Sequence, residues 1–214
     1  MVMLYGDSML GRFTRPRIAA LEASVEAALA ADGAPYSVMV LNCAAGGWNS
    51  AHSARRGPVM ARCTPAVVVL SVGMNDCVPG RLVPLDAFAR NVASIRAAFI
   101  GAGLVGFLPP MVRETGHPAT APDTGAEAAT SEADLPPGRR NVVLDRYRDV
   151  LRDAAGALWS LDTPGLLARR PDLEPLEEDG IHLTAQAYDM LIPELARLIA
   201  AALTSTPTGR EGAS

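Results

Sequence analysis

The stretch AVVVLSVGMND, residues 66–76, is an almost unbroken run of valine and leucine that ends in a glycine and an Asn-Asp pair. A strand with one face in water alternates apolar and polar residues, whereas a strand buried on both faces does not. The run 66–72 therefore predicts a central strand of a parallel sheet. Gly73 to Asp76 would then form the loop at the carboxyl end of that strand.

Four other apolar runs, each bounded by turn residues, are predicted strands, at 2–5, 36–42, 103–108 and 157–161. Apolar residues at helical spacing predict helices over 16–31, 84–99, 141–155 and 184–203. Strands that alternate with helices form parallel sheets with right-handed crossovers and helices on both faces. We therefore expect an α/β fold in one domain, residues 1–203, around a central, mostly five-stranded parallel sheet.

Two stretches of the chain lack a periodic pattern. Residues 112–140 are rich in alanine, threonine, proline, glycine and charge, and a loop of this length is uncommon in a compact domain. Because this stretch follows the fourth predicted strand, we expect an irregular insertion that covers the carboxyl edge of the sheet as a mobile lid. The tail, residues 204–214, is expected to be disordered.

The composition excludes several classes of partner. The chain has 214 residues, a formal net charge of -4 and no lysine, and it contains no run of more than two basic residues. This argues against a nucleic-acid surface. No apolar stretch approaches the roughly 20 residues that cross a bilayer, and no charged leader precedes the first strand. We expect a cytoplasmic protein without a membrane partner.

Cysteine and histidine do not form a metal-binding pattern. Cys43, Cys63 and Cys77 are odd in number and lack ligand spacing, so we expect buried free thiols, with a labile Cys43–Cys77 pair as the alternative. His52 and His117 have no acidic or cysteine partners at ligand spacing. We expect His52 on a helix surface, His117 in a loop, and no metal site.

Polar residues stand where the predicted strands end. The first strand runs into Gly6-Asp7-Ser8, the second into Asn42-Cys43-Ala44-Ala45-Gly46-Gly47, and the third into Gly73-Met74-Asn75-Asp76. Asp179-Gly180-Ile181-His182 precedes the last predicted helix. Parallel strands present their carboxyl ends at one edge of a sheet, and ligands bind there. The sequence therefore predicts that these segments meet.

Together these segments contain what acyl transfer requires. A serine hydroxyl becomes a nucleophile when an imidazole takes its proton, and we assign Ser8 and His182 to these roles. Asp179 can accept the other imidazole N–H and fix its tautomer. An oxyanion hole needs donors aimed at the tetrahedral intermediate. The backbone N–H groups of Ser8 and Gly47 and the side-chain amide of Asn75 are the candidates.

The four segments resemble, in order, the conserved blocks of the SGNH (GDSL-type) serine hydrolases. GDSML resembles the nucleophile block, NCAAGG and GMND the two oxyanion blocks, and DGIH the block with the acid and the histidine. The resemblance implies a flavodoxin-like three-layer α/β/α sandwich and hydrolysis of esters or thioesters without a cofactor. Ala44, where the family commonly has glycine, and Leu183, where it often has proline, depart from the pattern and bear on substrate range.

Residues near these blocks have less specific interpretations. Met9, Trp48 and Met74 flank the proposed catalytic residues, and they either form an apolar wall for a short acyl chain or belong to the core. Asp7 is expected to stabilise the turn as a hydrogen-bond acceptor rather than to act as a second base. Glu177 and Glu178, next to Asp179, are expected to be solvated.

Three functions remain open from the sequence. The first is a serine hydrolase for small carboxylic esters, with acetyl groups on a sugar or metabolite as examples. The second uses the same acyl-enzyme as an acyltransferase or thioesterase. The third, a non-catalytic acyl- or carbohydrate-binding module, predicts a missing triad member. An α/β-hydrolase is disfavoured because G-x-S-x-G is absent. The expected partner is a small-molecule ester, and the oligomeric state is open.

Overall fold

The computed structural model describes residues 1–114, 139–156 and 159–205. Its strands are β1 (Val2–Gly6), β2 (Val40–Asn42), β3 (Val67–Ser71), β4 (Gly103–Phe107) and β5 (Ser160–Leu161). Its helices are α1 (Ser8–Gly11), α2 (Arg15–Ala31), α3 (Ser50–Met60), α4 (Leu85–Ala98), α5 (Asn141–Ala155), α6 (Thr163–Ala168) and α7 (Ala185–Ser205), with a 3-10 turn at Ala61–Cys63.

The strands form one sheet with the order β2-β1-β3-β4-β5, and every pair in it is parallel. This is the strand order of flavodoxin-like folds, in which the order reverses between β1 and β3. Loops that leave these two strands diverge to opposite faces and leave a crevice at the carboxyl edge. The predicted fold class is confirmed, and it places a binding crevice beside the ends of β1 and β3.

Helices cover both faces of the sheet. Helix α7 packs against α2 and α6 on one face, while α4 packs against α3 and α5 on the other. All residues of β1 and β3 are buried, as the continuous apolar run predicts for strands covered on both sides. The hydrophobic core lies on both sides of these two central strands.

The second strand is shorter than predicted and lies at an edge of the sheet. Residues 36–39 precede β2 outside the sheet, and Tyr36 is largely exposed. The backbone N–H groups of Val38 and Val40 donate to the carboxylates of Glu26 and Glu22 on α2 at 2.8 and 2.7 Å. These carboxylates bind the edge of the sheet to α2.

Helix α3 has no apolar stripe, so the sequence pattern does not reveal it. Asn49 caps its first turn by accepting from the backbone N–H of His52 at 3.1 Å. The side chains that α3 buries are small, namely Ser50, Ser53 and Gly57. A Cβ atom at Gly57 would lie 3.2 Å from the Cβ of Ala98, so α3 and α4 approach closely at this glycine.

The three cysteines are free thiols in different environments. Cys77 is buried, and burial raises its pKa to about 12, whereas Cys43 is partly buried and Cys63 is exposed. The prediction that all three are buried is therefore wrong for Cys63, which lies on the exposed 3-10 turn. His52 lies on the surface of α3, as predicted.

Several predictions concern segments outside the described residues. The proposed lid falls mainly on residues 115–138, which include His117, and the end of the proposed tail falls on 206–214. Thr204 and Ser205, the first two residues of that tail, belong to α7. Among the described residues, none of the helices combines the length and the apolar character that a membrane crossing requires.

The end of β1 packs directly against the backbone of β3. Gly6 has a φ of 124°, and a Cβ atom at this position would lie 1.8 Å from the carbonyl oxygen of Ser71. The same carbonyl accepts from the backbone N–H of Asp7 at 2.9 Å. Only glycine allows the chain to bend here while it stays this close to β3.

We predict that Gly6→Ala lowers the free energy of unfolding by more than about 3 kcal/mol, because backbone strain adds to a collision with a backbone atom. Gly33→Ala is the matched control. Its φ is 77°, but no atom lies within 4 Å of an added Cβ, so it should lose only about 1 kcal/mol. Urea titration of both variants measures the difference. Equal losses would show that the contact with Ser71 contributes little.

Candidate active site

Ser8 is the first residue of α1, directly after the bend at the end of β1. Asp7 caps this short helix by accepting from the backbone N–H of Met9 at 3.0 Å. The hydroxyl of Tyr188, on α7, donates to the carbonyl oxygen of Met9 at 2.7 Å. Among the described residues, the backbone N–H of Ser8 has no acceptor. The turn therefore holds both the hydroxyl and a free N–H of Ser8 at the edge of the sheet.

His182 lies in a loop whose shape is set by Asp179. One oxygen of the Asp179 carboxylate accepts from the backbone N–H groups of Ile181 and His182, both at 2.9 Å. The carbonyl of His182 accepts from Glu177 N–H at 2.7 Å, and that of Gly180 accepts from Arg113 N–H at 2.7 Å. These bonds to the backbone fix the shape of the loop without any contribution from the imidazole ring.

The structure brings Ser8, His182 and Asp179 into one hydrogen-bonded series. Ser8 Oγ lies 2.9 Å from His182 Nε2, and His182 Nδ1 lies 2.5 Å from Asp179 Oδ2. Partial burial disfavours the charged form of Asp179, but hydrogen bonds from the His182 ring and from two backbone N–H groups outweigh it. The pKa of this carboxyl is therefore held well below its usual range. An ionised Asp179 fixes the tautomer in which Nε2 can accept the serine proton.

The second loop is tied to the turn that carries Ser8. The amide nitrogen of Asn42 donates to the carbonyl oxygens of Leu10 and Phe13 at 2.9 and 3.3 Å, while its oxygen accepts from Ala44 N–H at 3.0 Å. Gly47, further along this loop, has a φ of 77° and borders the cavity beside Ser8. Its backbone N–H has no acceptor among the described residues.

Asn75 reaches the same cavity from the end of β3. Its amide nitrogen donates to the carbonyl oxygen of Trp48 at 2.9 Å, and its amide oxygen accepts from Arg139 at 3.4 Å. These two bonds fix which end of the amide is the donor. One N–H of the Asn75 amide remains for a ligand.

The loop with Asn75 is anchored by the buried carboxylate of Asp76. Asp76 accepts from the hydroxyl and N–H of Ser50 at 2.5 and 2.9 Å, and from Gly73 N–H at 3.0 Å. Asn91, on α4, donates to the hydroxyl of Ser50 at 2.9 Å. Burial raises the pKa of Asp76, although the bonds from Ser50 and Gly73 oppose that shift. The network joins the loop after β3 to α3 and α4.

Asp7 is fully buried behind the turn that carries Ser8. Its Oδ1 accepts from Met9 N–H and from the hydroxyl of Ser71 at 3.0 and 2.9 Å, while Oδ2 has no hydrogen-bond partner. The prediction that Asp7 stabilises the turn as an acceptor is confirmed. Burial raises the pKa of Asp7 to about 7, even though the bonds from Met9 and Ser71 act in the opposite direction.

A cavity of about 400 Å³ opens beside Ser8. Its lining includes Ser8, Gly47, Asn75 and His182, and also Gly11, Arg12, Ala44, Gly46, Met74, Arg139 and Ile181. Of the three residues suggested as an apolar wall, only Met74 lines it. Met9 is fully buried, and Trp48 packs edge-on against Tyr5, 6.4 Å between ring centroids, and lies under Arg56.

Sequence reasoning missed two arginines that line this cavity. Arg12 forms an ion pair with Glu177 at 2.6 Å, a contact that the sequence did not predict. Glu177 stays partly exposed in this pair, and Glu178 is exposed as predicted. Arg139 donates to the carbonyl of Met74 at 2.9 Å. Neither arginine stands in a motif that distinguishes it from the other basic residues of the chain.

One group among the described residues could in principle hold a metal ion. Potential ligand atoms of Glu177, Asp179 and His182 lie within 4.8 Å of one another. Arg12 pairs with Glu177, and the imidazole of His182 pairs with Asp179. Both carboxylates thus already have cationic or N–H partners. The donor set favours an acid–base pair over a metal site.

Comparisons with known proteins agree with this geometry. The model of the GDSL-like lipase/acylhydrolase family matches residues 4–190. No match was found when the sequence was compared with curated proteins. The structure is similar to the lipase/acylhydrolase from Enterococcus faecalis, with a TM-score of 0.68 and 21% identity over 94% of this chain and 95% of that one.

Two esterases also have similar structures, and both are less than 20% identical in sequence to this chain. The acetyl xylan esterase Axe2 from Geobacillus stearothermophilus gives a TM-score of 0.61 at 19% identity, over 94% of this chain and 93% of that one. The psychrotrophic esterase EstA from Pseudoalteromonas sp. gives 0.60 at 13% identity, over 95% and 98%. At such identities the likenesses establish the fold.

We predict that Asp7 makes the protein less stable as the pH rises from 4 to 8. Its folded-state pKa of about 7 exceeds its ordinary value of 3.8, so the folded chain binds more protons than the unfolded chain between these values. The free energy of unfolding therefore falls with rising pH. Relative to Asp7→Asn, which keeps the acceptor oxygen but does not titrate, the native protein should lose about 4 kcal/mol over this interval.

Urea titrations of both proteins at several pH values give their free energies of unfolding. Subtracting the value for Asp7→Asn from the native value at each pH removes the contribution of all other titrating groups. Parallel stability curves for the native protein and Asp7→Asn would contradict the prediction. They would indicate that Asp7 is ionised in the folded state throughout the interval.

Proposed function

The chain belongs to the GDSL-like lipase/acylhydrolase family and is a carboxylic ester hydrolase, and on this premise we propose that it cleaves small esters through an acyl-enzyme on Ser8. The observation that carries the proposal is the series from Ser8 Oγ through both nitrogens of His182 to Asp179, at 2.9 and 2.5 Å. Such a series activates a hydroxyl for acyl transfer.

In the proposed mechanism, Ser8 Oγ attacks the ester carbonyl carbon while His182 Nε2 takes the hydroxyl proton. The imidazolium then donates that proton to the departing alcohol, which leaves the acyl group on Ser8. A water molecule, deprotonated by the same imidazole, attacks the acyl carbon and releases the acid. Asp179 stays ionised throughout and stabilises the imidazolium in both halves of the cycle.

Three donors are proposed to stabilise the negative oxygen of the tetrahedral intermediate. The backbone N–H groups of Ser8 and Gly47 lack acceptors among the described residues, and the Asn75 amide borders the same cavity. Because the loops that carry them are anchored by Asn42 and Asp76, the donors are in place before the substrate binds. Donors that need no reorganisation contribute most in the transition state.

Small substrates are proposed because of the shape and lining of the cavity. It holds about 400 Å³ and combines glycine, alanine and polar groups with few large apolar side chains. A long acyl chain would need an extended apolar surface to offset its desolvation. Axe2, which has a similar fold, is an acetyl xylan esterase, and this supports acetyl groups on a sugar or metabolite as substrates.

We predict that Ser8→Ala and His182→Ala reduce kcat/KM for 4-nitrophenyl acetate by at least about 10³-fold, because each removes a reacting group. Asn75→Ala should cost about 10²- to 10³-fold in kcat with a smaller change in KM, since its amide acts mainly in the transition state. Steady-state kinetics measures both parameters.

Ser94→Ala, on the exposed surface of α4, is the matched control and should keep native activity. Thermal unfolding of each variant shows whether a loss of rate reflects misfolding. Near-native rates for a folded His182→Ala protein would remove the imidazole from the proposed mechanism.

A series of 4-nitrophenyl esters tests the size of the acyl group. We predict the highest kcat/KM for acetyl to butyryl esters, with a decline for longer chains, because the described residues that line the cavity form no long apolar groove. Ser8→Ala measured with every ester corrects for turnover that does not use the proposed nucleophile. A kcat/KM that keeps rising beyond about ten carbons would contradict the preference.

A further inference from the structure

The cavity beside Ser8 carries an excess of positive side chains. Arg12 and Arg139 line it, and among the described residues no carboxylate does. Arg12 is compensated by Glu177 at 2.6 Å. Within the described part of the chain, Arg139 contacts only neutral acceptors, the carbonyl oxygen of Met74 at 2.9 Å and the amide oxygen of Asn75 at 3.4 Å. No carboxylate among the described residues contacts this guanidinium, although its charge acts on the buried Asp7 and opposes the effect of burial, which raises the pKa of that carboxyl.

The backbone around Arg139 is held in place by contacts between residues 112–114 and residues 140–141. Arg140 forms an ion pair with Glu114 at 2.7 Å, and the other carboxylate oxygen of Glu114 accepts from Asn141 N–H at 2.7 Å. The side chain of Asn141 exchanges two hydrogen bonds with the backbone of Val112, both at 2.9 Å. The guanidinium of Arg139 thus projects from a fixed backbone and is itself bound at two of its nitrogens.

A guanidinium has five N–H donors, and the contacts with Met74 and Asn75 use two of them. The remaining donors lack acceptors among the described residues, next to the amide that is proposed to bind the oxyanion. A cation that is already oriented and only partly satisfied binds a planar anion with little loss of side-chain entropy. Carboxylates match the spacing of adjacent guanidinium N–H groups.

We propose that Arg139 binds a carboxylate of the substrate, so that the preferred substrates are small esters carrying a negatively charged group near the scissile bond. This rests on the proposed function, because it adds specificity to the same site. The bonds of Arg139 to Met74 and Asn75 hold the guanidinium where the anion binds. The ion pair of Arg12 with Glu177 leaves Arg139 as the uncompensated cation of the described cavity lining.

Matched pairs of esters test the charge preference at constant size. Ethyl hydrogen succinate and ethyl 4-methylpentanoate place a carboxylate or an isopropyl group on the acyl side. Acetoxyacetate and isobutyl acetate make the same comparison on the alcohol side. Hydrolysis followed by pH-stat titration at pH 7.5 gives kcat/KM for each ester, and the quantity of interest is the charged-to-neutral ratio within a pair.

Arg139→Gln should lower this ratio about tenfold to a hundredfold in at least one pair, and Arg139→Lys should lower it less, because it keeps the charge but loses the planar fork. The ratio cancels any loss that acts through Asn75, since such a loss affects both esters of a pair. Asn75→Ala should slow both esters, and it should lower the ratio less than Arg139→Gln does, because it removes one bond that orients the guanidinium but keeps the charge and the bond to Met74.

Arg62→Gln is the control for a change of net charge. Arg62 lies on the exposed 3-10 turn before β3, at the opposite end of that strand from Asn75. The charged-to-neutral ratio of Arg62→Gln should therefore equal that of the native protein. Ratios for Arg139→Gln within twofold of native in both pairs would overturn the inference. If the native protein hydrolyses none of the four esters, or Ser8→Ala is as active, the proposed function fails instead.

Discussion

The hydrogen bond between Ser8 Oγ and His182 Nε2, at 2.9 Å, joins two residues that are 174 positions apart in the chain. Neither element can make it alone. The serine depends on the bend after β1, which glycine allows to pack against the carbonyl of Ser71, and the histidine depends on a loop shaped by Asp179. The parallel sheet brings both to one edge, where the strand order reverses between β1 and β3.

Buried carboxylates support this edge and carry a cost in stability. Asp7 and Asp76 hold the loops after β1 and β3, and burial raises the pKa of both. Such groups are unfavourable in an apolar interior unless hydrogen bonds compensate them, and one oxygen of Asp7 has no such partner. The protein thus keeps a locally destabilising group directly behind the proposed nucleophile, a common relation between stability and active-site geometry.

The charges around the cavity fall into two classes. Asp179 pairs with the imidazole of His182, and Glu177 pairs with the guanidinium of Arg12. The charges of these two carboxylates are therefore largely balanced by their partners. Arg139 faces neutral oxygens and leaves positive charge in the cavity itself. In a site partly shielded from water, a cation without an ion pair among the described residues acts strongly on a bound anion.

Much of the fold follows from local pattern, because burial on both faces makes β3 an unbroken apolar run and amphipathic helices repeat their apolar positions. The order of the motifs at the strand ends likewise predicts that Ser8, Asn75 and His182 converge, since parallel strands end at one edge. Helix α3 does not follow, because it buries small residues rather than an apolar stripe. The bonds from the outer edge of β2 to carboxylates of α2 do not follow either, because contacts of this kind leave no periodic pattern in the sequence. The positions of Arg12 and Arg139 were decided only by tertiary structure. Their long side chains reach partners 165 and 65 positions away, and no local spacing encodes such contacts.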